Sequence, residues 1–231
     1  MPEHPQPPAH AHAHAHSPAP AAGTDAGREE FWDDRYRESD RIWSGNPNAA
    51  LVREAGDLTP GRALDLGCGE GADAVWLARQ GWRVTGTDIS GVALARAAAH
   101  AAEAGVADRV DWQRHDLAES FPDGEYDLVS ACFLHTYGDF PRARILRTAA
   151  AAVAPGGILL VVGHGGWPSG TEEPPHPGIE FPTPQEVLAQ LELAQDAWEV
   201  LLAEEHAGSR NQPDGRPGTH TDNAVKVRRL A

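Results

Sequence analysis

Residues 62–90, RALDLGCGEGADAVWLARQGWRVTGTDIS, constrain the fold more than any other stretch of this chain. Ala63, Leu64 and Leu66 make a short apolar run that ends in Gly67-Cys68-Gly69-Glu70-Gly71. Ala74, Val75, Leu77 and Ala78 then share one side of a helical pattern. A second apolar run, residues 82–87, closes at Asp88. Strand, glycine turn, helix, strand, with an acid about 20 residues past the glycines, is the first half of a nucleotide-binding βαβ unit. The pattern predicts a parallel, doubly covered sheet.

The glycines let the turn come tightly off its strand and let a ligand approach the backbone. Asp88 is placed to accept hydrogen bonds from two ribose hydroxyls. Gly67, Gly69 and Ala72 also satisfy G-x-G-x-x-A, so a dinucleotide stays open on pattern alone. Asp65 argues against it. A dinucleotide puts pyrophosphate at the helix start, where the dipole favours anions, and a nearby carboxylate opposes that. S-adenosylmethionine has no phosphate, and its ammonium and sulfonium suit an acid. Asp65, Gly67 and Gly69, with Asp88 in register, resemble the D-x-G-x-G signature of class I S-adenosylmethionine-dependent methyltransferases.

The 231 residues fit one domain with a sizeable core. A formal charge of −15 opposes nonspecific binding to nucleic acid or anionic membrane and favours a small-molecule substrate. There is no apolar run of membrane-spanning length and no signal-peptide pattern, so a cytoplasmic location is expected. Two cysteines make no disulfide framework. Cys68 and Cys132 end the first and fourth strands. They read as small buried hydrophobes, with a redox pair or soft-metal site as the alternative.

Residues 1–25 are rich in Pro, Ala and His and lack apolar periodicity, which predicts a disordered tail ahead of a 26–231 domain. Its alternating His10, His12, His14 and His16 can chelate a divalent metal, and no metal site is expected in the domain. Phe31, Trp32, Tyr36, Ile42 and Trp43 precede the first strand and suggest an aromatic helical cap over the cofactor end. Ala49–Leu58 reads as a second helix, Val92–Ala104 as a third. Residues 109–114 and 126–132 read as strands three and four. Phe133 to Tyr137 then follow at the carboxyl end of strand four, where ligands bind in open α/β sheets. His135 is the candidate general base there.

Residues 142–153 read as a helix and 158–162 as a central strand. The long segment 163–184, with His164, Trp167 and His176, has the length of a lid or binding loop. Thr183-Pro184 starts another helix, 198–204 reads as strand six, 208–221 as a polar glycine-rich connection, and Ala224, Val225 and Val227 as a final strand. The fold class is α/β: a Rossmann-like seven-stranded sheet, mostly parallel with an antiparallel C-terminal strand, helices on both faces.

Phe31-Trp32-Asp33-Asp34-Arg35-Tyr36, Trp43-Ser44-Gly45-Asn46-Pro47-Asn48 and Gly81-Trp82 with Asp88-Ile89-Ser90 resemble the small bacterial branch near tellurite-resistance and thiopurine methyltransferases. The resemblance implies S-adenosylmethionine as cofactor. It implies Asp65, Gly67, Cys68, Gly69, Gly71, Asp88, Ile89, Asp116, Leu117 and Trp43 as the cofactor-binding set, with Asp116 facing the adenine amino group. Trp32, Tyr36, Tyr137 and His164 fall to the substrate and lid. With no acid–base pair visible among residues 133–137 and 164–176, the expected acceptor is a small, soft or already anionic nucleophile, held mainly by alignment. An NAD-linked oxidoreductase and a metal-handling protein with a vestigial fold are the alternatives.

Overall fold

The computed structural model describes residues 25–135, 140–167, 181–211 and 217–231. Its elements are α1 (Asp25–Arg37), α2 (Ala49–Ala55), β1 (Arg62–Leu66), α3 (Ala72–Arg79), β2 (Arg83–Asp88), α4 (Gly91–Glu103), β3 (Val110–Arg114), β4 (Tyr126–Cys132), α5 (Arg142–Ala151), β5 (Val153–His164), α6 (Pro184–Leu191), β6 (Trp198–Asn211) and β7 (Pro217–Arg229). The seven strands form one sheet in the order β3-β2-β1-β4-β5-β7-β6. From β3 to β5 the neighbours are parallel, and β7 runs antiparallel to both β5 and β6. This is the expected Rossmann-like architecture.

Alternation along the strands divides the apolar side chains between two layers. Leu128, Ile158 and Leu160 face the layer that holds Leu51 of α2, Leu77 of α3 and Trp82. Val129, Leu159 and Val161 face the other, with Leu146 of α5, Val187 of α6 and Val225. Both faces are therefore covered, which is why β5 reads as a continuous apolar run. Local signals fix the ends. Ser90 caps α4 by accepting from the Ala93 N–H at 3.1 Å. Thr183 and Glu186 form a reciprocal capping box on α6.

Several boundaries differ from the sequence reading: α5 stops at Ala151, and β5 runs from Val153 to His164 instead of 158–162. α2 stops at Ala55 instead of Leu58. More consequentially, residues 208–211 and 217–221, expected as a polar connection, continue β6 and β7 as a long hairpin arm. Gly208 pairs with His220 and Asn211 with Pro217. Main-chain pairing needs no apolar side chain, so an arm that projects past the core leaves no alternating pattern to read. Because β7 is antiparallel, its first residues lie at the same edge of the sheet as the carboxyl ends of β1, β4 and β5.

No helix among the described residues is long and apolar enough to cross a membrane. The histidine run, Tyr137 and most of the expected 163–184 lid lie outside the described residues. The described ends of that segment meet where the Trp167 and Phe181 rings pack edge to face, 5.2 Å apart.

Candidate active site

The turn after β1 is the centre of the site. Gly67, Gly69 and Gly71 all have positive φ. A Cβ on Gly69 would stand 2.9 Å from the Tyr36 hydroxyl and 3.3 Å from Trp43 Nε1. A Cβ on Gly71 would stand 2.8 Å from side-chain atoms of Ala97 on α4 and Trp112 on β3. The turn is pinned to β2 by the Cys68 N–H, which donates to Thr87 O at 2.9 Å. Asp88 completes the clamp: its two carboxylate oxygens accept from the Gly69 and Ser90 N–H groups, each at 2.9 Å. Ile89, next in the chain, is half-buried.

Side chains of the aromatic segment reach this turn. Trp43 Nε1–H donates to the Tyr36 hydroxyl at 3.1 Å. Trp32 leans on Tyr36 with ring centres 6.2 Å apart. Glu70 fastens the Trp43 loop: its carboxylate accepts from the Ile42 and Trp43 N–H groups at 3.2 and 3.1 Å and pairs with Arg96 at 2.9 Å. Asp33 reaches from α1 to the start of α4, accepting from Ser90 Oγ at 2.6 Å. Glu70 and Asp33 were not singled out from sequence, because anchoring acids look like any solvated acid until their partners are known. Tyr36 is buried, and that burial together with the charge of Asp88 holds its hydroxyl protonated well beyond the usual tyrosine range.

Buried acid is concentrated here. Asp65, Glu70, Asp73 and Asp88 are all buried. Asp65 Oδ1 accepts from Ser130 Oγ at 3.1 Å, whereas its buried Oδ2 has no partner. Burial pushes the Asp65 carboxyl well above the usual range, and neighbouring Asp73 and Asp88 push the same way. Asp73 and Asp88 are raised as well, chiefly by burial. Asn48 offers Asp73 two bonds of 2.7 Å. Burial also raises the thiols of Cys68 and Cys132, so both are protonated, free cysteines.

Other expected residues sit in more local roles. Asp116 receives Arg28 Nε and a terminal guanidinium nitrogen at 3.2 and 2.7 Å, which ties α1 to the end of β3. Leu117 packs on the core layer that contains Leu64 and Leu66. Phe133 has φ +54°, a left-handed conformation uncommon for an aromatic residue. The turn it makes brings Leu134 over Gly67, whose Cβ would meet Leu134 Cδ1 at 2.7 Å. It also sets Phe133 and His135 against His164, at ring separations of 4.5 and 5.5 Å, the two imidazoles within 9° of parallel.

His135 is enclosed. Its Nε2 is buried without a partner, and burial, with His164 and Arg142 nearby, pushes its imidazole down to about 4. His164 instead has a carboxylate partner: Nδ1 stands 3.1 Å from Asp222 Oδ1. The other Asp222 oxygen is 3.1 Å from His220 Nε2. The sequence gives no hint of this pair, because β5 and β7 bring together residues 58 positions apart. Among the described residues no three or more His, Cys, Asp or Glu side chains are arranged to hold a metal ion.

Residues 63–157 match the family described as a methyltransferase domain. A ubiquinone biosynthesis O-methyltransferase from Methylobacterium nodulans is 36% identical over 174 residues, covering 67% of this chain and 65% of that protein. The chain spans about half the length of the curated relatives it matches. TehB from Haemophilus influenzae superposes with a TM-score of 0.64 at 18% identity, covering 89% of this chain and 68% of that one. The N-methyltransferase NodS from Bradyrhizobium japonicum, solved with S-adenosylhomocysteine, superposes with 0.61 at 15% identity, covering 88% and 100%. At such identities the likeness is one of fold. The order of the strands, the glycine turn with its two acids and the match over residues 63–157 agree: the fold is that of class I methyltransferases, and the stretch that holds the turn is similar to a methyltransferase domain.

Proposed function

We propose that the chain transfers a methyl group from S-adenosylmethionine to a small-molecule acceptor. The observation that carries this reading is the buried acid around the glycine turn, with Asp65 Oδ2 left without a partner. An uncompensated buried carboxylate is costly and favours a cationic ligand. A dinucleotide would bring phosphates to the same acids, so the NAD-linked alternative is disfavoured. Asp65 would hold the cationic methionyl end, Asp88 the ribose, and Asp116 with Leu117 the adenine, under Tyr36 and Trp43. When bound, the cofactor supplies an electrophilic methyl on a sulfonium. The protein contributes alignment and exclusion of water, which together can lower a barrier by about 7–11 kcal/mol. The Methylobacterium relative's name, an O-methyltransferase, supports an oxygen acceptor.

Tryptophan fluorescence tests the cofactor: S-adenosylhomocysteine should quench it and NADH should not, and the reverse would defeat the reading. The pH dependence gives a second check. The folded-state values of Asp65, Asp73 and Asp88 are raised above the unfolded value of about 3.9. Their contribution to stability is therefore full below that value and is lost as pH rises through the folded values. A cationic ligand prefers them ionised, so binding releases protons and tightens over that same interval. At about 100 times Kd, ligand adds about 2.7 kcal/mol, or about 5–11 °C for a chain of this size. The gap in melting temperature between S-adenosylmethionine-bound and free protein should widen as pH rises through the folded values of these acids. A gap that narrows would show that these acids do not face the ligand's charge.

A further inference from the structure

We propose that His164, oriented by Asp222, takes the proton from the methyl acceptor, and that the acceptor is a hydroxyl compound, a phenol or alcohol, that must lose this proton as it is methylated. The proposal rests on the methyl-transfer reading above and names the substrate class of that same site.

His164 and Asp222 are direct partners across the antiparallel β5–β7 pair, so their side chains share a face. Asp222 accepts the His164 Nδ1–H at 3.1 Å, which leaves the lone pair on Nε2. A base whose far nitrogen is fixed by a carboxylate is the arrangement that recurs in nucleophile activation. The His164 side chain is 43% exposed and Asp222 22%, so the ring is open to an acceptor while its partner is sheltered. The pair lies within the site already described. Phe133 packs on His164 with the rings tilted, and Leu134, next in the chain, covers Gly67 of the glycine turn. β5 lies two strands from β1, about 10 Å across the sheet.

Among the described residues, the charged and titratable groups around His164 come from four elements. His135 stacks on it from the end of β4, and Arg142 approaches from α5. Asp222 and His220 come from β7, and His206 stands opposite Asp222 on β6. Among the described residues, Asp222 is the carboxylate bonded to the ring. His135 is less well suited, because its Nε2 is buried and no carboxylate is bonded to its ring among the described residues. A nucleophile that is already anionic gains nothing from such a pair, whereas a hydroxyl does. The presence of the pair removes the ground for restricting the acceptor to soft or ionised species.

In the step, the acceptor oxygen gives a lone pair to the methyl carbon. The carbon–sulfur bond breaks and its electrons stay on sulfur. The hydroxyl proton passes to His164 Nε2 and then to solvent. The products are a methyl ether, S-adenosylhomocysteine and one proton.

The test compares phenol with thiophenol in the full-length protein. Phenol, like tyrosine, holds its proton to a pKa of about 10, whereas thiophenol is largely ionised at working pH. A general base contributes roughly 10²–10⁴-fold. In His164→Gln the phenol-to-thiophenol ratio of kcat/KM should therefore fall at least about thirtyfold, and the basic dependence of the phenol reaction should disappear. Asp222→Ala should follow the same direction. A readout without turnover is the side-chain ¹⁵N spectrum. The His164 signal, identified by its loss in His164→Gln, should report the Nδ1–H tautomer in the wild type and lose it in Asp222→Ala. An unchanged ratio, an equal loss for both acceptors, or an Nε2–H tautomer in the wild type overturns the proposal. Wild-type binding of S-adenosylhomocysteine, measured alongside, separates this failure from failure of the methyl-transfer reading.

Discussion

Replacing Asp88 with alanine should weaken S-adenosylhomocysteine binding at least tenfold by calorimetry. The carboxylate accepts two backbone N–H bonds of 2.9 Å, from Gly69 inside the turn and from Ser90 at the start of α4. Bonds to a charged acceptor contribute about 1.5–3 kcal/mol each, and a tenfold change in affinity is about 1.4 kcal/mol. The variant loses the clamp that shapes the turn and, on the proposed reading, the ribose acceptor, so both routes lower affinity. Asp88→Asn keeps one oxygen and should fall between. Unchanged affinity in Asp88→Ala, in a protein that still melts cooperatively, would remove Asp88 from the cofactor site.

The second large effect should come from Gly71→Val. The residue sits at φ +83°, and its Cβ would press on Ala97 and Trp112 at 2.8 Å. A left-handed conformation costs about 1–2 kcal/mol for a residue with a Cβ. Overpacking adds about 1–3 kcal/mol. Together these predict a melting temperature lower by about 4–20 °C and no calorimetric S-adenosylhomocysteine signal. Gly105 is the control. It has φ +70° but nothing within 4 Å of its Cβ position. Gly105→Ala should pay only the backbone cost and keep cofactor binding. Equal losses in the two variants would mean that the packing of Gly71 between α4 and β3 is immaterial.

The first half of the site was legible because it is local. One βαβ unit puts Asp65, the glycines and Asp88 within a span of 24 residues, and the chemistry of each follows from its place. The aromatic cap was legible as a cluster, but its fastening was not. Glu70 holds Trp43, and Arg28 holds Asp116, through contacts between residues far apart in sequence. The second half of the site is almost wholly non-local. His164 was visible as a candidate. Asp222 was hidden in a polar stretch whose strand character comes from pairing with β6 rather than from its own side chains. His135 stood out because sequence shows proximity to a strand end and not the burial of its Nε2.

The sheet order has a consequence for how the protein comes to exist. β7 is the last of the seven strands to be synthesised, yet it lies between β5 and β6. Until it arrives, the nascent chain carries two long strands whose facing edges have nothing to pair with, and unpaired edges invite association with other chains. The strand that completes the sheet also delivers Asp222. Closure of the interior and completion of the proposed proton acceptor are thus one event, so a chain stalled or clipped before residue 222 would be both exposed to aggregation and chemically incomplete.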